Sequence, residues 1–167
     1  MNAHDPVTDA ARLAEIVELD LLSGENDPIL QSLAAQAAAS VGVPVSLVSV
    51  VLDEALHVAG AHGIEPFWLD ETRGHPVEWS FCAASVRTRE PVVIEDARED
   101  DYHRTNPLVT QDGVRCYAGV PLISSRGFVL GNLCVVGLEA RSFTQQEIDA
   151  LKALARQAVE HIETRRR

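Results

Sequence analysis

The sequence predicts an α+β fold: one antiparallel sheet, with helices at both ends of the chain. Three observations point there. The elements read in order α-α-β-β-α-β-loop-β-β-α, which is not the regular βα alternation of a doubly wound fold. Tyr117 to Val136 reads as a β-hairpin, because two apolar runs flank the turn Ser124-Ser125-Arg126-Gly127. Val45 to Leu52 is largely apolar on both of its faces, as a central strand covered on both sides must be.

The elements follow in order. Thr8 to Leu22 is predicted as a helix, with Leu13, Ile16 and Val17 on one face and Leu21 extending the stripe. After the loop Ser23-Gly24-Glu25-Asn26, Asp27-Pro28 starts a second helix with an acidic N-cap and proline at the first helical position. Its apolar face is Ile29, Leu30, Leu33, Ala34, Ala37 and Val41. Gly42 ends it and Pro44 prevents its return. The strand Val45 to Leu52 turns through Asp53-Glu54 into a shorter strand, Ala55 to Ala59, which contains His57. Residues 60 to 76 read as irregular. Phe67 and Trp68 within them imply a loop folded back over the body as a lid. Phe81 to Arg87 reads as a short helix capped by Ser80, and Val92 to Ile94 as a brief strand. Residues 96 to 113 form a long polar connection interrupted by Pro107-Leu108-Val109, and connections of that length are commonly functional.

In the hairpin, Gly119 and Gly131 imply a bulge or the close approach of a ligand or another backbone. Pro121 belongs at an edge or bulge, because it cannot donate to a ladder. The last helix starts at a capping box of Thr144 and Glu147, with Phe143 and Ile148 as its hydrophobic staple. Ile148, Leu151, Leu154, Ala155, Ala158, Val159 and Ile162 give it a broad apolar stripe. The stripe covers the sheet. A sharper reading has the helix pack with the first helix and with a second subunit.

At 167 residues the chain is expected to be a single domain with a core of about residues 12 to 163. The net charge of −11 argues against nucleic acid as a partner. The basic cluster Arg165-Arg166-Arg167 reads as a helix end complementing the macrodipole. Three cysteines, an odd number, do not suggest a disulfide framework. With no stretch approaching the roughly 20 apolar residues of a membrane span, the expectation is a cytoplasmic protein with no membrane partner.

Several segments together resemble the GAF domain family, which is related to PAS domains. They are Val45-Ser46-Leu47-Val48-Ser49-Val50-Val51, Ser80-Phe81-Cys82-Ala83, Val92-Val93-Ile94-Glu95-Asp96-Ala97 with Asp100 behind it, and Asn106-Pro107-Leu108-Val109. Tyr117-Ala118-Gly119-Val120-Pro121-Leu122, Leu130-Gly131-Asn132-Leu133-Cys134-Val135-Val136 and the Phe143-Thr144 helix start complete the set. The resemblance implies a sheet of five or six antiparallel strands, with terminal helices on one face and pocket-forming loops on the other. It implies a non-enzymatic sensory or regulatory module in signal transduction that binds a small metabolite and dimerises through its terminal helices. A separate output protein, such as a kinase or transcription regulator, would receive the signal. The chain is then a stand-alone regulator or part of a longer sensor. No cofactor is named by the resemblance.

The family's chemical variants fit less well. Cyclic-nucleotide binders carry an Asn-Lys pair where this chain has Val136-Gly137, although Phe143 and Glu147 stand in comparable places. A branch resembling free methionine-(R)-sulfoxide reductase uses cysteines on adjacent loops. Cys82 matches one of them, but no partner stands near Asn106. Cys116 and Cys134 fall on predicted strands, where a cysteine is usually a small hydrophobe. Bilin attachment needs a cysteine in a helix-proximal loop, and Cys116 is not in one. For haem, His103 is the best axial ligand, ahead of His57 and His75. The acidic run Glu95 to Asp101 has interleaved Arg98 and no calcium-loop spacing, so its aspartates read as turn and cap residues rather than metal ligands.

The candidate ligand-binding residues are Trp79, Phe81, Cys82, Asp96, His103, Tyr117 and Cys134, beneath loops 60 to 80 and 96 to 113. Trp79 and Phe81 would stack on a ligand, and Tyr117, Asp96 and His103 would hydrogen-bond it. The alternatives are an interaction and dimerisation module with a vestigial pocket, and a thiol-dependent free methionine sulfoxide reductase.

Overall fold

The computed structural model of the chain describes residues 9–19, 21, 27–52, 55–63, 74–76, 83–100, 104–105, 107–110 and 113–164. The helices are α1 (Ala10–Glu18), α2 (Pro28–Val41), α3 (Ala83–Thr88), α4 (Pro107–Thr110) and α5 (Gln145–Glu163). The strands are β1 (Val45–Val51), β2 (Ala55–His62), β3 (Gly74–Pro76), β4 (Val92–Ile94), β5 (Cys116–Ile123) and β6 (Val129–Gly137). All the strand pairs are antiparallel, in the order β3-β2-β1-β6-β5-β4. The expected α+β sandwich around an antiparallel sheet is therefore present, with six strands.

Helix boundaries follow their local chemistry. Asp27 caps α2 by accepting from the backbone N–H groups of Ile29 and Leu30 at 2.9 and 3.2 Å, Pro28 opens it, and Gly42 closes it in the left-handed conformation. Thr144 and Glu147 make the reciprocal capping box that starts α5. Asp9 caps α1, so that helix starts two residues later than the periodicity predicts.

Two apolar clusters lie on opposite faces of the sheet. The helix face joins Ile16, Leu30, Leu33, Leu151 and Ile162 to Val48, Val120, Leu133 and Val135. The opposite face collects Val45, Leu47, Tyr117 and Cys134 with Val86, Ala97, Val109 and Val114. β1 sits inside the sheet and is buried along its whole length, as its two-sided pattern requires. Helix α5 packs on α2 and β5, while α1 lies against β6 rather than serving as the main partner of α5.

Some expectations need correction. Val17 is 68% and Ile29 50% exposed, so neither belongs to the stripe of its helix. The inward face of α1 runs instead through Arg12, Glu15 and Ile16. Arg12, only 2% exposed, donates to the carbonyl of Val129 at 3.1 Å. Arg126 in the hairpin turn reaches Glu18 at 2.9 Å and Glu15 at 3.7 Å. These contacts pull the charged side of α1 onto the hairpin. Gly74–Pro76, predicted irregular, pairs with the edge of β2, and β2 runs on to His62. The bulges lie at Val48/Ser49 and at Leu122/Ile123, where β6 carries an extra residue, Leu130, beside Gly131; none lies at Gly119. Gly131 also meets another backbone: a Cβ there would collide with the Ser49 carbonyl of β1. Pro121 lies beyond the end of β4, whose pairing with β5 stops at Gly119, so β5 is an edge there.

Candidate functional site

Strand register builds the loop-side face in rows, because directly opposed residues point to the same side. One row is Val45, Val136, Tyr117 and Ile94. The next is Leu47, Cys134, Gly119 and Val92. The third is Ser49, Asn132 and Pro121. Tyr117 crosses from the first row to the third. Its Oη donates to Asn132 Oδ1 at 3.1 Å, directly over Gly119. A Cβ at Gly119 would fall inside contact distance of Tyr117 Oη and 2.5 Å from Asn132 Oδ1. Glycine in the middle row is what lets the phenol lie down across the strand.

Asn132 Nδ2 donates in turn to Ser85 Oγ on α3 at 2.6 Å. Ser49 Oγ donates to the Asn132 carbonyl at 3.2 Å. Tyr117, Asn132, Ser85 and Ser49 are all buried. The result is a strip of hydroxyls and one amide set in an apolar surface. Buried polar groups are costly unless they are paired, and these pair with one another. Chemically the strip can orient a bound molecule. Asn132 both donates and accepts, and could exchange Tyr117 or Ser85 for a ligand group.

The sequence-predicted residues divide as follows. Tyr117 and Cys134 share the loop-side face, in adjacent rows. Asp96 caps the 3-10 helix Ala97–Glu99, accepting from the Arg98 backbone N–H at 3.0 Å. Its carboxylate also takes the Arg98 guanidinium through Nε at 3.0 Å and a second nitrogen at 2.9 Å. That hydrogen-bonded pairing holds the Asp96 carboxyl below the usual carboxylate range. The turn-and-cap reading of the acidic run thus holds at Asp96. Trp79, Phe81, Cys82 and His103 lie outside the described residues, as do Phe67, Trp68, Ser80 and Asn106.

Asn132, Ser85 and Ser49 were not anticipated. Asn132 carried the one available signal, an amide inside the apolar run Val129 to Val136 that burial would force to find partners.

The described thiols are ill suited to redox work. Cys116 and Cys134 are buried, and strand alternation puts them on opposite faces of the sheet. Burial pushes the Cys116 thiol up, away from the thiolate. Among the described residues no group of three His, Cys, Asp or Glu side chains could hold a metal ion, and no helix is long and apolar enough to cross a membrane.

The sequence profile of the GAF domain family matches residues 25–162. The chain belongs to the GAF domain family. It is also 28% identical over 163 residues to a cyclic di-GMP phosphodiesterase of Pseudomonas aeruginosa, a match that covers 96% of the chain and 27% of that protein. The chain thus spans about a quarter of this relative. Two solved structures share the fold. Free methionine-R-sulfoxide reductase from Neisseria meningitidis, in complex with its substrate, superposes with a TM-score of 0.65 at 21% identity, covering 99% of this chain and 98% of that one. The GAF domain of an Acinetobacter phosphoenolpyruvate-protein phosphotransferase gives 0.63 at 19% identity, covering 94% and 96%. GAF domains are sensory modules of signal transduction, and at these identities the structural likeness is one of fold.

Proposed function

We propose that this GAF domain is a non-enzymatic sensory module. It binds a small metabolite on the loop side of its sheet and passes the signal to an output partner, such as a kinase or transcription regulator, as a cytoplasmic homodimer. The observation that carries this reading is the strip Tyr117–Asn132–Ser85, a set of converging polar groups within the apolar face away from the terminal helices. Apolar walls with a few convergent polar groups are what small-molecule sites are made of. Trp79, Phe81, Cys82, His103 and Asp96 remain proposed contributors from the loops around it, with Tyr117 and Cys134 as the floor.

A ligand that stabilises the folded state at roughly 100 times its Kd adds about 2.7 kcal/mol. For a chain of this size that raises Tm by roughly 5–10 °C. Native mass spectrometry of freshly purified protein, followed by a thermal-shift screen of nucleotides and amino acids, should find one such ligand. Asn132→Ala should abolish the shift. If no mass is retained and no compound moves Tm, the sensor reading is lost.

A second reading is then favoured by the same strip. Tyr117, Asn132 and Ser85 already satisfy one another, which is how a vestigial pocket in a pure interaction module would look. A concentration-dependent dimer that binds no small molecule is its signature.

A further inference from the structure

A second concavity lies at the open edge of β5 beyond its pairing with β4, between α5 and the segment leading into β4. Its volume is about 440 Å³. The floor is apolar, formed by Pro91, Val120, Pro121 and Val159. Its rim carries Arg89, Lys152 and Arg156, with Glu160 as the single carboxylate among the lining residues.

Four features set this rim apart. The chain has 25 acidic residues against 14 basic ones, yet three cations gather at one groove. Arg98, Arg126 and Arg141 are each ion-paired, whereas Arg89, Lys152 and Arg156 have no carboxylate within ion-pair distance among the described residues. Lys152 and Arg156 also stand one helical turn apart on α5, where like charges repel. Arg89 is the one described non-glycine residue with positive φ, at 62°. Its backbone N–H closes α3 on the Ser85 carbonyl at 2.8 Å, and its guanidinium donates to the Gly127 carbonyl at 2.8 Å. A positive-φ backbone thus fixes where Arg89 leaves α3, at the rim of the groove.

We propose that this groove binds a soluble medium-chain alkyl carboxylate, its tail on the Val120–Pro121–Val159 floor and its carboxylate among Arg89, Lys152 and Arg156. Guanidinium groups donate paired, charge-assisted hydrogen bonds to a carboxylate. The apolar floor supplies the remaining affinity by burying the tail. The size of the groove argues against a partner helix, since a helix about 10 Å across would fill it in roughly one turn. Tyr117, Asn132 and Ser85 are not among its lining residues, so this site stands or falls independently of the loop-side ligand.

Lys152 is the sole lysine of the chain, so it is its own reporter. Reductive methylation with ¹³C-formaldehyde keeps its charge and yields one side-chain resonance beside that of the α-amine. Decanoate, kept below micelle formation, should shift that resonance saturably. Acetate and 1-decanol at equal concentration should bind at least about tenfold more weakly, since each lacks one of the two contributions. Arg156→Glu should weaken decanoate by about tenfold or more while leaving the circular dichroism spectrum unchanged. Arg89→Ala, tested in parallel, should act the same way. The proposal is overturned if decanoate gives no shift, or if acetate or decanol matches it. It is equally overturned if only anionic vesicles or an acidic helical peptide move the resonance, or if it moves with protein concentration alone, which would mark a second copy as the occupant.

Discussion

The two faces of the sheet are built on different principles. The helix face is filled by aliphatic side chains from α1, α2 and α5 meeting Val48, Val120, Leu133 and Val135, and at Gly131 it tolerates nothing larger than hydrogen, because the Ser49 backbone stands in the way. The loop face has a glycine of its own, Gly119, but there the space is taken by side chains, Tyr117 and Asn132. One face is closed by main chain, which cannot move without breaking the sheet. The other is closed by two side chains that can swing. A sheet built this way is a rigid platform on one side and an adjustable surface on the other.

The sharpest way to break this comparison is to add one methyl group to each face. Gly131→Ala drives a Cβ into the Ser49 carbonyl and should cost roughly 3 kcal/mol or more. Gly119→Ala should cost less, about 1–3 kcal/mol, because Tyr117 can rotate away. Urea unfolding midpoints at unchanged slope would measure both. A double-mutant cycle separates the mechanisms. Tyr117→Phe should cost almost nothing further in the Gly119→Ala background, where the phenol has already left Asn132, but its full amount beside Gly131→Ala. Equal costs at the two glycines, or additivity in both cycles, would erase the distinction between the faces.

Tyr117→Phe alone is the next smaller perturbation. It leaves the ring volume in place and removes the donor to Asn132 Oδ1, so the expected loss is about 1–2 kcal/mol. If stability is unchanged, a water or another group already serves Asn132, and the strip is not the closed network its distances describe.

How far these features could be read in advance depended on how local their causes are. The caps at Asp27, Gly42 and Thr144 were legible, because each is decided by residues within one turn. The apolar stripe of α5 was legible because 19 residues average out the ambiguity of a 3.6-residue period. Helix α1, with nine residues, does not, and Val17 was assigned to the core when Arg12 and Glu15 occupy that side instead. A buried arginine on a short helix makes sense only once the Val129 carbonyl is seen beneath it. Gly74–Pro76 has loop composition and becomes a strand through the edge of β2. Gly119 and Gly131 were recognisable as sites of close approach, but what approaches them depends on strand register, which no residue in the hairpin reveals. The same holds for Asn132: its partners lie 15 and 47 positions away.

The smallest expected effect lies within the helix layer and tests how it is tied together. Asp27, at the start of α2, accepts from His161 Nε2 near the end of α5 at 2.7 Å. Burial pushes the Asp27 carboxyl up, but the His161 hydrogen bond and the backbone N–H groups of Leu30 and Ile29 outweigh it, and the carboxyl sits below its ordinary value. The sign follows from that direction. A depressed folded value means that the ionised form is the stabilised one, so the contribution is complete above the unfolded pKa of about 3.9 and is lost as pH falls through the lower folded value. Asp27→Asn keeps an equally good helix cap and removes only the charge. The difference between wild type and Asp27→Asn should therefore be a few tenths to about 1 kcal/mol in urea unfolding at pH 7, and should vanish near the bottom of the acid range. Equal stability of wild type and Asp27→Asn at pH 7 would mean that the charge facing His161 does not join α2 to α5. The helix layer would then be held by packing alone, which would strengthen the contrast with the hydrogen-bonded face on the other side.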